Sequence, residues 1–528
     1  MDSSKIKTIV IVVVVAFLAL YLGIATATAQ KEAVAWVGGA VLLTICLLLG
    51  RNIWLLIPAT LAMKGNINFL PGTPAPWHLM TAVAAVFLLI RIATRQQPLA
   101  IKWTWMETSL ALVAFSILQA LARNPVGLSA LGGSDVAGGK PYFIFAVAFV
   151  AYAIIAMANT DIKGWRWAVI LYLTFGIGDG LINAVSGISP AFAMRVLPLY
   201  SNVGFEEAVG TAAEFDLSKN RFTQVTQLGS ILGMIACTFW RPLAALDITK
   251  PWRILIAGGA VIAVFLSGFR GGLGSLFVRF VLGSALRKKW LDIVIIGLLG
   301  MLLLTALIAS GMVKNLPFGV QRALSFLPIE VSSVAAIDAE GSSNDRFEMW
   351  RTALESDRYI RNKLLGDGFN MSARELQAMR SQTETGPQLF KTWTDAALET
   401  GAYHGFHVET IRNTGALGLL CATIALFVFM SSAWRAIQRT RTQPYWGMVL
   451  FICMPFLIHP FWYWLVFGSY KADFPTVIAL AGMVKLLHTL VNQETPLLGP
   501  VSPLKHSSLM TSPSPNPQFA SARQVRRP

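Results

Sequence analysis

Apolar stretches of roughly 16 to 22 residues recur along the whole chain, and each is about long enough to cross a hydrocarbon layer as a helix. The first, "IVIVVVVAFLALYLGIATATA" from Ile9, follows Lys5 and Lys7. It is long for a signal peptide and the same pattern resumes directly behind it, so it reads as a retained span. The pattern is interrupted once at length. From Val313 to about Tyr403 the chain is polar, and ~90 residues are too many for a plain loop, so this segment should carry structure of its own. Within it, "SSNDRFEMWRTALESDRYI" sets a polar cap ahead of Phe347, Trp350 and Leu354 on one helical face. "SARELQAM" offers a capping box through Ser372 and Glu375, and "GDGFN" at 366–370 reads as a turn. The last ~35 residues, from about Gln493, are rich in Pro and Ser and lack periodicity, as a disordered tail would.

The expected fold is therefore an all-α polytopic integral membrane protein of about 12 to 14 transmembrane helices with one large, partly helical segment outside the membrane. Its divisions are transmembrane helices within 1–312, the outer segment at 313–405, further spans within 406–491 and a tail at 492–528. The least regular spans are residues 52 to 66, which are short, and 271 to 286, which carry Arg279.

Composition agrees: 55% of residues are hydrophobic, 13% are charged and the mean hydropathy is +0.59, far from a soluble globular balance. The net charge of +16 does not point to nucleic acid, because the Lys and Arg excess lies in short connectors instead of one basic face. It reports topology. Placing the clusters Arg91/Arg95/Lys102, Arg287/Lys288/Lys289 and Arg435/Arg439/Arg441 in the cytoplasm lets the spans alternate, with both termini inside and the 313–405 segment on the periplasmic face. All four cysteines (Cys46, Cys237, Cys421, Cys453) fall within expected spans and suggest packing, not disulfides or thiolate metal ligation.

Several chemistries fail on spacing. "GGSDVAGGKP" at 132–141 is one residue off a phosphate loop and has Pro141 where a hydroxyl is needed. A dinucleotide glycine fingerprint, an Asp-x-Asp pair and a His-Glu-x-x-His pair are all missing. His404 and His407 are spaced to share a helical face, but without a clear third ligand they make a poor zinc site, and neither a metal nor an organic cofactor is expected.

What remains is a set of polar residues that the topology brings to one membrane face. Arg221 in "KNRFTQVTQLGS" opens a span, with Gln224 and Gln227 behind it. Arg270 lies in the Gly-rich turn "SGFRGGLGS", Arg346 lies in the outer segment, and His404 ends that segment. Guanidinium groups near a bilayer surface suit phosphate or pyrophosphate, since the planar fork donates two hydrogen bonds and keeps its charge. Glycines beside Arg270 would let a bulky headgroup approach the backbone. Asp179 in "GIGDGLINA" is an intramembrane acid, and a helix break at Gly176, Gly178 and Gly180 would hydrate it. Plainer readings stand beside these: Arg221 and Arg270 as interfacial anchors, Arg346 as a local ion-pair partner, His407 as a helix-face or neighbouring residue, and Arg279 as a snorkelling cation.

Four of these stretches resemble the bacterial O-antigen ligase and O-antigen polymerase superfamily of membrane glycosyltransferases. "NRFTQVTQLGSILGM" is similar to the arginine-led span of that family, with Gln where Asn is usual. "FLSGFRGGLGSL" resembles its Ser-Arg-Gly turn with Phe269 inserted. "NDRFEMWRTALESDRYIRNKLLGDGFN" resembles its Arg, Trp and Gly-x-Gly pattern. "HGFHVETIRNTGALGLL" resembles its His-to-Gly pattern, with His404 eleven residues before Gly415, Gly405 in place of Asn and Val408 in place of Leu. The resemblance covers most of the chain from Arg221. It implies a GT-C-like membrane enzyme whose donor is a glycan on undecaprenyl pyrophosphate, acting at the periplasmic face of the bacterial inner membrane. The acceptor it implies is lipid A-core in a ligase, or a growing glycan in an O-antigen or exopolysaccharide polymerase. In that frame Arg221, Arg270 and Arg346 would bind pyrophosphate, and His404 would take the acceptor proton. His407, Gln224 and Asp179 would stand behind them. A polytopic transporter is the contrasting expectation, although no internal repeat supports it.

Overall fold

The computed structural model describes residues 31–95, 101–125, 139–201, 221–327, 331–369, 393–401 and 403–494. The first apolar stretch from Ile9, the phosphate-loop-like residues 132–138, the capping box at Ser372 and Glu375 and the tail from 495 lie outside them.

The described residues form an all-α, multi-pass membrane architecture. In chain order the helices are α1 (Lys31–Leu49), α2 (Leu56–Leu61), α3 (Pro76–Ala93), α4 (Trp105–Arg123), α5 (Gly139–Ala156), α6 (Ile162–Ile188) and α7 (Pro190–Val196). There follow α8 (Thr226–Phe239), α9 (Pro251–Leu266), α10 (Arg270–Leu286), α11 (Trp290–Ala309), α12 (Phe318–Leu324) and α13 (Ser333–Glu355). The last four are α14 (Trp393–Thr400), α15 (Phe406–Arg439), α16 (Trp446–Leu465) and α17 (Phe474–Glu494). The sheet is one antiparallel pair, β1 (Asn66–Ile67) with β2 (Tyr200–Ser201). Among the described residues nine helices are long and apolar enough to cross a membrane, and α9 is a shorter apolar helix.

Helices suit this sequence because a backbone inside hydrocarbon must satisfy its own hydrogen bonds. The tightest packing joins α5 to α17, α15 to both α4 and α16, and α8 to α9. A continuous apolar core runs through α4, α5, α6, α15, α16 and α17, with Trp165, Phe145, Phe429 and Phe456 among its fully enclosed side chains. At the edge, α11 is only 6% buried and shows Leu298, Met301, Leu302 and Leu303 outward, as a lipid-facing helix would. Its start is fixed by Asp292, whose carboxylate takes the Arg241 guanidinium at 2.6 to 2.9 Å. The four cysteines are buried and free.

Four local expectations need correction. Residues 52–66 do not form a span of their own: a 3-10 turn (Gly50–Leu55) and the six-residue α2 continue from α1, and the chain then turns into β1. The outer-segment helix starts at Ser333, upstream of the expected polar cap, because the Ser332 hydroxyl already caps it by accepting from the Ala335 amide at 3.3 Å. And α6 is unbroken at Gly176–Gly180. Those glycines admit a neighbouring helix, since a Cβ on Gly180 would stand 3.0 Å from the Leu228 Cα and one on Gly176 would meet Ile231 at 2.8 Å. Residues 271–286 do form a helix, α10, and Arg279 does not snorkel: it donates to the Ser230 carbonyl at 3.0 Å and hydroxyl at 2.8 Å on α8.

Candidate active site

Four of the expected site residues, Arg221, Arg270, Arg346 and His404, meet at one end of the bundle. Residues 221–222 have no regular structure and a 3-10 turn follows (Thr223–Val225), so Arg221 precedes α8 and is not part of it. The Phe222 amide donates to the Leu266 carbonyl at 3.1 Å, which sets Arg221 beside the α9–α10 turn. Gly268 in that turn has φ +64, and a Cβ on it would touch Arg221 Cγ and Cδ at 3.1 Å and the Gly319 Cα at 3.0 Å. The space at Gly268 is thus filled by the Arg221 stem and α12, not left for a headgroup, while Gly271 and Gly272 line an adjoining cavity.

Arg270 opens α10 and donates from Nη2 to the Ala339 carbonyl on α13, tying the outer segment to the bundle. Arg322 of α12 is buried and donates from Nη1 to the Gly268 carbonyl at 2.6 Å. Arg346 of α13 completes the group. Enclosure, followed by the positive fields of Arg322, Arg270 and Arg221, pushes its guanidinium below the ordinary arginine value. Four cations from four separate stretches therefore share one field.

His404 lies at the edge of that field. Enclosure by the surrounding protein and then the Arg346 charge hold its imidazole below the ordinary histidine value, so it is neutral near pH 7 although its edge is open to solvent. Its backbone has φ +49, a left-handed conformation that costs a non-glycine residue about 1–2 kcal/mol. The neighbours impose it. Tyr403 and Phe406 are fully enclosed, the Trp350 indole donates to the Tyr403 carbonyl at 2.7 Å, and Gly405 lies so close to that indole that a Cβ would be 2.6 Å from Nε1. Such strain, held by packing, is what a positioned functional residue shows.

The expected pairing of His404 and His407 on one helical face fails, because α15 starts only at Phe406. His407 is instead packed between Trp350 (centroids 4.8 Å apart) and Trp464 (6.0 Å, stacked). An aromatic that the sequence did not single out links the site: Phe467, in the loop after α16, stacks on His404 at 6.1 Å, lies under the Arg346 guanidinium at 5.9 Å and meets Phe269 edge-on at 6.0 Å. Arg322 was also missed; its only signal was a lone cation in a short apolar helix next to a Pro-Phe-Gly turn.

Asp179 does not join the arginines. Its carboxylate accepts from the Lys64 amide at 3.0 Å, the Tyr200 hydroxyl at 2.6 Å and Gln227 Nε2 at 2.6 Å, which ties the turn ahead of β1 to β2, α6 and α8. Gln224, in the 3-10 turn, is buried and lines the cavity of about 560 Å³ that runs from Phe269 and Phe467 inward past Gln227, Arg279 and His459.

The Gly-x-Gly turn braces the helix that follows His404. Gly366 and Gly368 have φ +77 and +76, and Asp367 accepts from the amides of Arg361 and Asn362 at 2.9 and 3.0 Å. The turn docks into a break in α15 at Gly415 (φ 76, ψ −178), where the Asp367 and Gly368 amides donate to the Arg412 and Asn413 carbonyls and the Ala416 amide to that of Lys363. Arg123 of α4 closes the contact on the Gly366 carbonyl at 2.6 Å. The eleven residues from His404 to Gly415 thus measure from the strained histidine to the point where α15 is pinned. Compared with known families and with curated proteins, the chain matches no family model and no curated protein.

Proposed function

We propose that this protein is a membrane glycosyltransferase that moves a glycan from a polyprenyl pyrophosphate, of the undecaprenyl type, to an acceptor hydroxyl, with lipid A-core as the acceptor. The observation that carries the reading is the convergence of Arg221, Arg270, Arg322 and Arg346 beside a strained His404 whose imidazole is held below the ordinary histidine value. Guanidinium groups bind the two phosphates and stabilise the charge that grows as the anomeric C–O bond to pyrophosphate breaks. The acceptor oxygen forms the new bond to the anomeric carbon from the opposite side, which inverts that centre, and its proton passes to His404. Phe467 offers an apolar platform between the base and Arg346. The orientation follows the positive-inside expectation, with the site at the periplasmic face.

Repeat-unit polymerisation uses the same donor chemistry with a different acceptor. Deleting the gene and separating the cell's glycolipids distinguishes the cases. Loss of long chains from lipid A-core, with polymer left on the carrier, supports ligation; cores capped by single repeats indicate polymerisation; unchanged glycans with lost uptake of a solute would refute both and favour a transporter.

A further inference from the structure

A second cavity, of about 470 Å³, opens at the other end of the bundle. Its walls are the start of α4, the end of α15 and the end of α17. Three helices fix its distance from the candidate active site. Beyond its break at Gly415, α15 runs from Ala416 to Arg435 in 19 steps, or ~29 Å, close to the ~30 Å of a bilayer's hydrocarbon core. Likewise α4 runs from this cavity to Arg123 on the Gly-x-Gly turn, and α17 runs to it from Phe474, which packs on Phe406. The cavity therefore lies at the headgroup level of the opposite leaflet.

Its chemistry is one-sided. Lys102, Arg435, Arg439 and Lys485 line it together with His488, and among the described residues that line it there is no acid. Lys485 is already compensated: its ammonium, 5% exposed, donates to the Glu107 carboxylate at 2.9 Å, to Thr104 Oγ1 at 3.0 Å and to the Lys102 carbonyl at 2.7 Å, while Tyr152 donates to the same carboxylate at 2.6 Å. This buried pair forms a rigid floor, because every one of its polar atoms named here is engaged. The surplus charge belongs to Lys102, Arg435 and Arg439, which are exposed around the mouth. Arg439 is aimed by Asn492, whose Oδ1 accepts at 2.8 Å, and His488 is held on the Ser432 carbonyl at 2.8 Å. The chain's own tail does not complement the charge: residues 495–528 contain no Asp or Glu and add Lys505, Arg523, Arg526 and Arg527.

The rim argues for a lipid over a soluble anion. Trp103 and Trp105 follow Lys102 and are 69% and 73% exposed, the Trp103 indole donating to the Thr108 hydroxyl at 3.0 Å, and Trp434 is exposed beside Arg435. Indoles at this level belong to the interface, where the ring meets acyl chain and the N–H meets the headgroup. Past the rim, Leu112, Phe115 and Leu118 of α4 and Leu420, Ile424 and Phe427 of α15 stay exposed along the helices, so an acyl chain leaving the cavity meets apolar surface.

We propose that this cavity is a binding site for an anionic phospholipid, with its phosphodiester held by Arg435, Arg439 and Lys102 above the Lys485–Glu107 floor. Basic pockets between spanning helices bind anionic headgroups in this manner. The site is independent of the glycan chemistry, and its test does not use activity. Full-length protein in nonionic detergent is titrated with phosphatidylglycerol, phosphatidylcholine and soluble glycerol phosphate while thermal unfolding is followed, and native mass spectrometry counts bound lipid. Phosphatidylglycerol should raise the unfolding temperature and remain as an adduct, whereas the other two should do neither. The pair Arg435→Gln and Arg439→Gln should weaken that binding by at least about tenfold, as loss of charge-assisted bonds requires, with unliganded unfolding unchanged. If the pair lowers unliganded stability, Lys102→Gln on the facing wall carries the same expectation alone. Equal stabilisation by phosphatidylcholine, equal stabilisation by glycerol phosphate, or undiminished phosphatidylglycerol binding in these variants overturns the proposal.

Discussion

Replacing Gly405 by alanine tests whether the backbone that presents His404 is set by Trp350. The added Cβ would stand 2.6 Å from Trp350 Nε1, 2.7 Å from Cε2 and 3.0 Å from Cζ2. Carbon contacts settle near ~3.5–4.0 Å, so the ring or the chain must retreat by about 1 Å. Gly405 itself has φ −134, which any residue adopts, so the effect is steric and not conformational. The indole is pinned by its 2.7 Å bond to the Tyr403 carbonyl and by the buried cluster with Met349, Ala353 and Val408. The expected cost is about 1–3 kcal/mol of overpacking. Activity should suffer more, since His404 is the adjacent residue and an error of about 1 Å at a reacting group costs roughly 100-fold. The assay is the rate of glycan transfer by the purified protein in lipid nanodiscs, with thermal unfolding measured in parallel. Trp350→Leu removes the obstructing atoms, so the double variant should lose less than the two single losses combined. A wild-type rate in Gly405→Ala, or strictly additive losses in the double variant, would refute the claim that Trp350 sets His404.

The remaining expectations are briefer. His404 must be neutral to accept a proton, so kcat/KM should hold above its pKa and fall as the pH drops through it; that acid limb should lie below the usual histidine range of about 6.5. Arg346→Gln removes a positive neighbour, so the limb should move to higher pH, and an unmoved limb would dissociate the two residues. Asp179→Asn should lower the unfolding temperature in detergent, because an amide cannot accept from Lys64, Tyr200 and Gln227 as a carboxylate does, at a cost of about 1–3 kcal/mol. The donor KM should stay unchanged, and a changed KM with unchanged stability would place Asp179 in substrate binding. Gly415→Ala forces a Cβ to within 2.2 Å of the Leu364 carbonyl oxygen at a backbone conformation nearly reserved for glycine, so membrane yield should collapse. Gly297→Ala, with nothing within 4 Å, should accumulate normally as the matched control.

Much of the helical layout is legible in the sequence because apolar runs of bilayer length leave a backbone little choice but helix. The runs behind α3, α4, α5, α11, α15, α16 and α17 are of this kind. Residues 52–66 misled because run length alone does not reveal a 3-10 turn that carries α1 into α2. The site is legible only in part. Arg221, Arg270, Arg346 and His404 stand out as polar residues at the ends of apolar runs. Arg322 and Phe467 do not, because each looks ordinary until the chain folds and sets them against residues far away in sequence. Asp179 shows the same limit from the other side. A lone acid in an apolar run is conspicuous, but its partners Lys64 and Gln227 lie 115 and 48 residues away and give it an architectural role. The glycines of α6 looked like a helix break, yet a glycine is as useful for admitting a neighbour as for bending, and only packing decides between them.

In the proposed reaction, arginine-bound pyrophosphate and a neutral His404 would together carry out glycan transfer. Purified protein in nanodiscs should be given polyprenyl-pyrophosphate-linked glycan and lipid A-core, with the released polyprenyl pyrophosphate quantified for the wild type, His404→Ala and Arg322→Gln. On this proposal, release should be coupled to glycosylated core in the wild type. Donor binding should be retained without release in His404→Ala, and weakened in Arg322→Gln. Full release by His404→Ala, or no donor binding by the wild type, would contradict it.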